Sequence, residues 1–177
     1  MGATTFTNYH DGADADTAFN AACRDARYEY GHGGYTGTLA EKYSYVIVTQ
    51  TLMTYDEACD HANHLLDTND HRIDDKWGPA GAIPVKTDHR TVAVDDIPAS
   101  VIGTLIPYDL ERITRIARTR DLITDGETVA SGWVENRYQP NNRFPVQVAH
   151  LTVTRNAAEL AAQTKPDGWL FFGWASS

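Results

Sequence analysis

The chain has 177 residues, 42% hydrophobic and 10% aromatic, a globular composition long enough to bury one core without staples. Its net charge of −9 comes with no cluster of Lys and Arg, so extended nucleic-acid binding is not expected. A small anionic ligand held by a few groups, or an acidic surface meeting a basic protein, stays compatible with that charge.

No apolar run reaches the roughly 18 residues of a membrane span. The first dozen residues lack the basic and apolar regions of a signal peptide. A cytoplasmic protein without membrane contact is therefore expected. Cys23 and Cys59 fall among apolar helical positions and read as reduced, buried thiols, with a disulfide between them left open.

In chain order, a lead-in over 1–13 holds a short strand at 4–9. Ala18, Phe19, Ala22, Cys23, Ala26 and Tyr30 then repeat at helical spacing, which predicts a helix over 16–30 capped by Asp14 or Asp16 and stopped by Gly31. Residues 42–52 predict a strand with apolar side chains on both faces. Thr54-x-x-Glu57 is a capping box opening a second helix over 55–66. A polar loop, a Gly- and Pro-rich turn and short strands at 82–86 and 90–94 follow. The remainder predicts a third helix over 109–121, a hairpin of 128–138 with 144–154, a short helix over 157–163 and a final strand over 169–174. The class is α+β: a single compact domain with a mixed or mainly antiparallel sheet and three to four helices.

Gly31-His-Gly-Gly-Tyr-Thr-Gly37 is the first candidate site, with His32, Gly33, Gly34, Tyr35 and Thr36 as ligand-binding residues. Phosphate loops lead from a strand into a helix N-terminus, where amides and dipole favour an anion. This loop instead leaves a helix C-terminus, so it reads as a cap and tight connection, or as a local backbone nest for an anion. The run from Tyr30 to Lys42, together with Trp169-Leu-Phe-Phe-Gly-Trp-Ala175, resembles small bacteriophage-encoded proteins of unknown function. That resemblance implies life in the cytoplasm of a bacterial host and supplies no catalytic residues.

Seven histidines suggest two constellations. Cys59, His61, His64 and His71 lie among several aspartates, but the apolar face of the second helix puts His64 on the solvent side, and the spacing fits neither HExxH nor an EF-hand. No metal or other cofactor is expected. The sharper pair is His89-Arg-Thr91 and His150-Leu-Thr152, each placing His and Thr two apart on a predicted strand and so on one face. These motifs resemble the two His-x-Thr motifs of the 2H phosphoesterases, which process 2′,5′ and 2′,3′-cyclic phosphoesters without a metal. The resemblance implies that one histidine takes a proton from the attacking group and the other protonates the leaving oxygen, while Thr91 and Thr152 hold the phosphoryl oxygens. Arg155 or Arg90 would steady the developing charge. Arg90 stands where that family is usually apolar, and no duplicated lobes are visible in the sequence.

Three functions follow as expectations. One is a metal-independent phosphoesterase acting on a nucleotide or cyclic oligonucleotide, carried by His89, Thr91, His150 and Thr152. Another is a non-catalytic small-ligand binder, for example a nucleotide sponge, using the 31–38 loop and aromatic residues. The last is an acidic protein that meets a host partner through Asp67, Asp70, Asp74, Asp75, Asp95 and Asp96.

Overall fold

The computed structural model describes residues 2–31, 33–97, 109–138 and 145–177. Among them are four α-helices, one 3-10 turn and eight strands in two mainly antiparallel sheets, an α+β arrangement. The chain divides into two compact units, one of residues 1–87 with 163–177 and one of residues 88–162.

The first unit is built on a five-stranded sheet. Its main path is β1 (Ala3–Asp11), β8 (Gly168–Ser176), β4 (Ala80–Lys86) and β2 (Tyr45–Ile47), with β3 (Met53–Thr54) also against β4. β1–β8 and β8–β4 run antiparallel, while β2 and β3 run parallel to β4. Helix α1 (Ala15–Tyr30) buries Ala18, Phe19, Ala22, Cys23 and Ala26 against Trp169, Phe171 and Ala82. Helix α2 (Tyr55–Asp67) buries Ala58, Ala62, Leu65 and Leu66 against Leu170, Phe172, Ile83 and Val85. Successive residues of β8 thus serve opposite faces, which is why its whole run is apolar. Removing a ring such as Phe171 or Phe172 would cost about 3–5 kcal/mol.

Both helix starts follow their local chemistry. Asp14 accepts from the Thr17 amide at 2.8 Å, and Thr54 and Glu57 close a reciprocal capping box. Gly31 ends α1 at φ 89°. Cys23 and Cys59 are free thiols, and burial pushes the Cys23 thiol up to about 11.

Of the predicted strand over 42–52 only Tyr45–Ile47, β2, is a strand, and β3 begins after it at Met53. Lys42 explains the late start. Its side chain is 1% exposed, and Nζ donates to the carbonyls of Asp75, Lys76 and Gly78 at 3.4, 3.1 and 2.8 Å. A buried ammonium needs such acceptors, so the backbone there is placed to satisfy them. Between β2 and β3, the Thr51 amide turns back to Thr49 Oγ1 at 3.1 Å.

The second unit carries a three-stranded antiparallel sheet in the order β5 (His89–Val94), β7 (Val146–Arg155), β6 (Glu127–Arg137). Helix α3 (Leu110–Thr119) packs Ile113 and Ala117 onto its inner face, against Val92, Val94, Ala149, Leu151 and Val153. A short helix, α4 (Ala157–Ala162), follows β7. β6 and β7 pair as the expected hairpin, and its Gln-Pro-Asn-Asn turn lies outside the described residues.

Candidate functional site

The alternation of β5 and β7 sends Val92, Val94, Leu151 and Val153 inward, so His89, Thr91, His150, Thr152 and Thr154 all stand on the outer face. Register then decides their spacing. Thr91 lies directly opposite Thr152, His89 opposite Thr154, and Ala93 opposite His150. The two His-x-Thr motifs are therefore related by the local twofold axis of the antiparallel pair. The threonines sit at its centre, with one histidine two residues out on each side. The histidines are about 14 Å apart along the strands, and each is about 7 Å from the central pair.

β6 adds a third column. Val129 pairs with Val153 and Ser131 with Thr152, so Ala130 is an extra residue, a β-bulge. An extra residue exchanges the two faces of everything after it. Ser131, Trp133, Glu135 and Arg137 consequently join the outer face, and Gly132 and Val134 turn inward. Gly132 fits that inward position because a Cβ there would lie 2.8 Å from the His150 carbonyl and 3.1 Å from Leu110 Cδ1. Ser131, Thr152 and Thr91 form one row of hydroxyls across the three strands.

His150 is held tightly. Its ring stacks on Trp133 with centroids 4.9 Å apart and planes 11° from parallel. Its Nε2 lies 3.1 Å from Glu135 Oε2, and because a carboxylate can only accept, Nε2 carries the proton in this pair. Glu135 also accepts from Arg137 Nε at 3.2 Å through its other oxygen. His89, by contrast, is exposed, with Nδ1 2.7 Å from Asp88 Oδ1. Each histidine thus has a carboxylate that orients its ring. Trp133, which reads as a core tryptophan in sequence, is 47% exposed here, and Ser131, Glu135 and Arg137 carry no sequence signal beyond their alternate spacing in the predicted hairpin strand.

The expected cations are elsewhere. Arg90 and Arg155 stand on the inner side of the sheet, where both contact Glu127. Arg90 Nε and a terminal nitrogen donate to it at 2.7 and 2.8 Å, and Arg155 Nε lies 3.4 Å away. The Glu127 side chain is 3% exposed, and the Arg90 guanidinium, helped by the Thr124 amide, holds its carboxyl below the ordinary range. Arg155 and Arg90 are committed to this pairing one face away from the threonines. Among the described residues, the cation on the outer face is Arg137.

The glycine loop closes on an internal carboxylate. The amides of Thr36 and Gly37 donate to Glu41 Oε1, while Ser176 donates amide and hydroxyl to Oε2. Burial works to raise the Glu41 carboxyl, but these hydrogen bonds outweigh it and hold it below its usual value. The loop therefore wraps the chain's own carboxylate. The dent beside Gly31, Gly34, Thr36 and Trp77 has a volume of about 100 Å³. Tyr35, at φ 59°, packs edge-on against Trp77, with ring centroids 6.2 Å apart, Gly33 is exposed, and His32 lies outside the described residues.

Among the described residues, no group of three His, Cys, Asp or Glu side chains is placed to hold a metal, so Cys59, His61, His64 and His71 do not converge. No helix is long and apolar enough to cross a membrane. Of the acidic candidates, Asp70 is engaged by Arg72 at 2.8 Å and is held well below the carboxylate range, whereas Asp67, Asp74, Asp75, Asp95 and Asp96 are exposed. No family model, curated protein or solved structure matches the chain.

Proposed function

We propose that the outer face of the β5–β7–β6 sheet binds a nucleotide or short oligonucleotide and cleaves one of its phosphoester bonds by metal-independent acid–base catalysis. The observation behind this reading is the twofold placement of the two His-x-Thr motifs about Thr91 and Thr152. A phosphoryl group over the central pair would accept hydrogen bonds from both threonine hydroxyls, with Ser131 extending the row. With both rings swung toward the centre, His150 leaving its stack on Trp133 and its bond to Glu135, one histidine takes the proton of the attacking water or ribose hydroxyl as the new P–O bond forms. The other gives its proton to the leaving oxygen as the old bond breaks, so the pair finishes with its protons exchanged. Residues 88–162 hold eight arginines against ten carboxylates, so this unit repels an anion far less than the net charge of −9 suggests. The likeness of the Tyr30–Lys42 and Trp169–Ala175 segments to phage-encoded proteins would put such an activity in the cytoplasm of a bacterial host.

A second reading is binding without turnover, as in a protein that sequesters a nucleotide. It is favoured by the hold of Trp133 and Glu135 on His150 and by the pairing of Arg137 with Glu135, which leaves the hydroxyl row without an adjacent cation among the described residues.

Hydrolysis of cyclic, 2′,5′- and 3′,5′-linked nucleotides in EDTA, with wild type, His89→Ala and His150→Ala side by side, tests both. Turnover lost in each variant supports the two-histidine reaction. Binding without turnover, weakened by Thr152→Val, supports sequestration. Neither binding nor turnover by folded protein overturns both readings.

A further inference from the structure

The first unit carries a groove that the proposed phosphoester chemistry does not use. β2 lies at the edge of its sheet and pairs with β4 on one side. The Ser44 carbonyl accepts from the Ala80 amide at 2.9 Å, and the Val48 amide donates to the Ala82 carbonyl at 3.1 Å. Even-numbered residues therefore direct their backbone groups at β4, and strand alternation directs those of Tyr43, Tyr45 and Ile47 outward. Among the described residues, no strand meets them there. A cavity of about 590 Å³ runs along this edge, walled on its far side by Asp16, Phe19 and Asn20 of α1. The edge from 43 to 47 spans about 13 Å, the length of a short strand.

We propose that this groove takes an extended peptide segment bearing a basic side chain, added as a parallel or antiparallel strand to the outer edge of β2. Backbone pairing with Tyr45 and Ile47 would supply affinity, and the groove walls would supply selectivity. The walls are chemically two-sided. Phe19 and Tyr45, with ring centroids 5.0 Å apart, form an apolar floor for one side chain. Asp16, which already accepts from Tyr45 Oη at 2.6 Å, offers a second carboxylate oxygen to a neighbouring cation. The unit reinforces that preference, because residues 1–87 and 163–177 hold fourteen carboxylates against seven Lys and Arg. Edge strands are blunted by shortness, an inward charge, a proline or a covering segment, and of these Tyr45-Val-Ile47 has only its three-residue length.

The test uses the intact protein and a displayed library of random dodecapeptides. The expected winners carry Lys or Arg beside alternating β-branched residues. Titrating a synthetic winner into ¹⁵N-labelled protein should shift the amides of Tyr45 and Ile47 and those of α1 near Asp16 and Asn20. Ile47→Pro removes an outward N–H without breaking a bond to β4, and should weaken the peptide about tenfold. Asp16→Asn keeps the acceptor for Tyr45 and should weaken it about threefold, while leaving a variant peptide with Gln in place of the basic residue unaffected. Far-UV circular dichroism checks both folds, and Asp16→Asn decides alone if the proline variant unfolds. Winners without basic residues, shifts confined to other amides, or undiminished binding to the folded variants would overturn the proposal. So would loss of the Tyr45 and Ile47 signals with rising protein concentration, since a second copy would then be the occupant. The groove lies in the first unit, so failure here leaves the phosphoester reading untouched.

Discussion

Trp133 lies flat on His150, the two rings 4.9 Å apart and 11° from parallel across neighbouring strands. Stacked pairs of this kind add about 0.5–1.5 kcal/mol beyond the area they bury. A double-mutant cycle on Trp133→Ala and His150→Ala, read by urea unfolding, should return a coupling energy in that range. A coupling near zero would mean that the stack does not fix the histidine.

Thr91 is exposed and Thr152 opposite it is half-buried, so their hydroxyls can be removed with little structural cost. Thr91→Val and Thr152→Val should each change stability by less than about 0.5 kcal/mol. Each should reduce phosphoester turnover by about 10²-fold if it donates to the reacting group. Unaltered kinetics in both variants would remove the threonines from the reaction.

Ala130 sets which side chains of β6 reach the outer face. Deleting it would restore a regular register, drive Trp133 and Glu135 inward and expose Val134. The expected result is loss of the cooperative unfolding of residues 88–162, seen by hydrogen exchange. The milder Gly132→Ala forces a Cβ against the His150 carbonyl and Leu110 and should cost about 1–3 kcal/mol.

Glu127 joins Arg90 to Arg155 in the interior of the second unit. Glu127→Ala leaves the Arg90 and Arg155 charges without their shared carboxylate, and should cost about 3–5 kcal/mol in urea unfolding. Because this network lies on the inner face, Arg155→Met combined with Arg90→Met and Glu127→Leu should recover stability while leaving ligand binding on the outer face largely intact.

Glu127, Asp70 and Glu41 are all held below their ordinary carboxyl values in the folded protein. Near the unfolded values of about 4 to 4.5, the unfolded chain binds more protons, so their stabilisation is complete above that range and is lost as pH falls through the depressed folded values. The urea midpoint should fall steadily below about pH 4.5, and Asp70→Asn should flatten that slope. Lys42 gives the same sign at the alkaline end. Burial lowers its pKa, so the folded state sheds its proton first, and stability rises with pH between the depressed value and the unfolded value of about 10.4.

Much of the fold was written locally. The α1 stripe, the Asp14 cap and the Thr54–Glu57 box depend on residues three or four apart, and the structure has them. The late start of the strand predicted over 42–52 could not be read in the same way, because Lys42 reaches carbonyls more than thirty positions later. The glycine loop likewise looked open in sequence because Glu41 and Ser176, which fill it, meet only after β8 returns.

For the candidate site, the sequence by itself determined that His89 shares a face with Thr91 and His150 with Thr152, since side chains alternate along any strand. Tertiary structure alone decided that both motifs share one sheet face about a common axis. It also decided that Ala130 turns Trp133 and Glu135 toward His150, and that Arg90 and Arg155 point the other way to Glu127. Register and bulge are set by pairing between strands more than fifty positions apart in the case of β5 and β7, and by the packing of α3 against Gly132. No local preference carries that information.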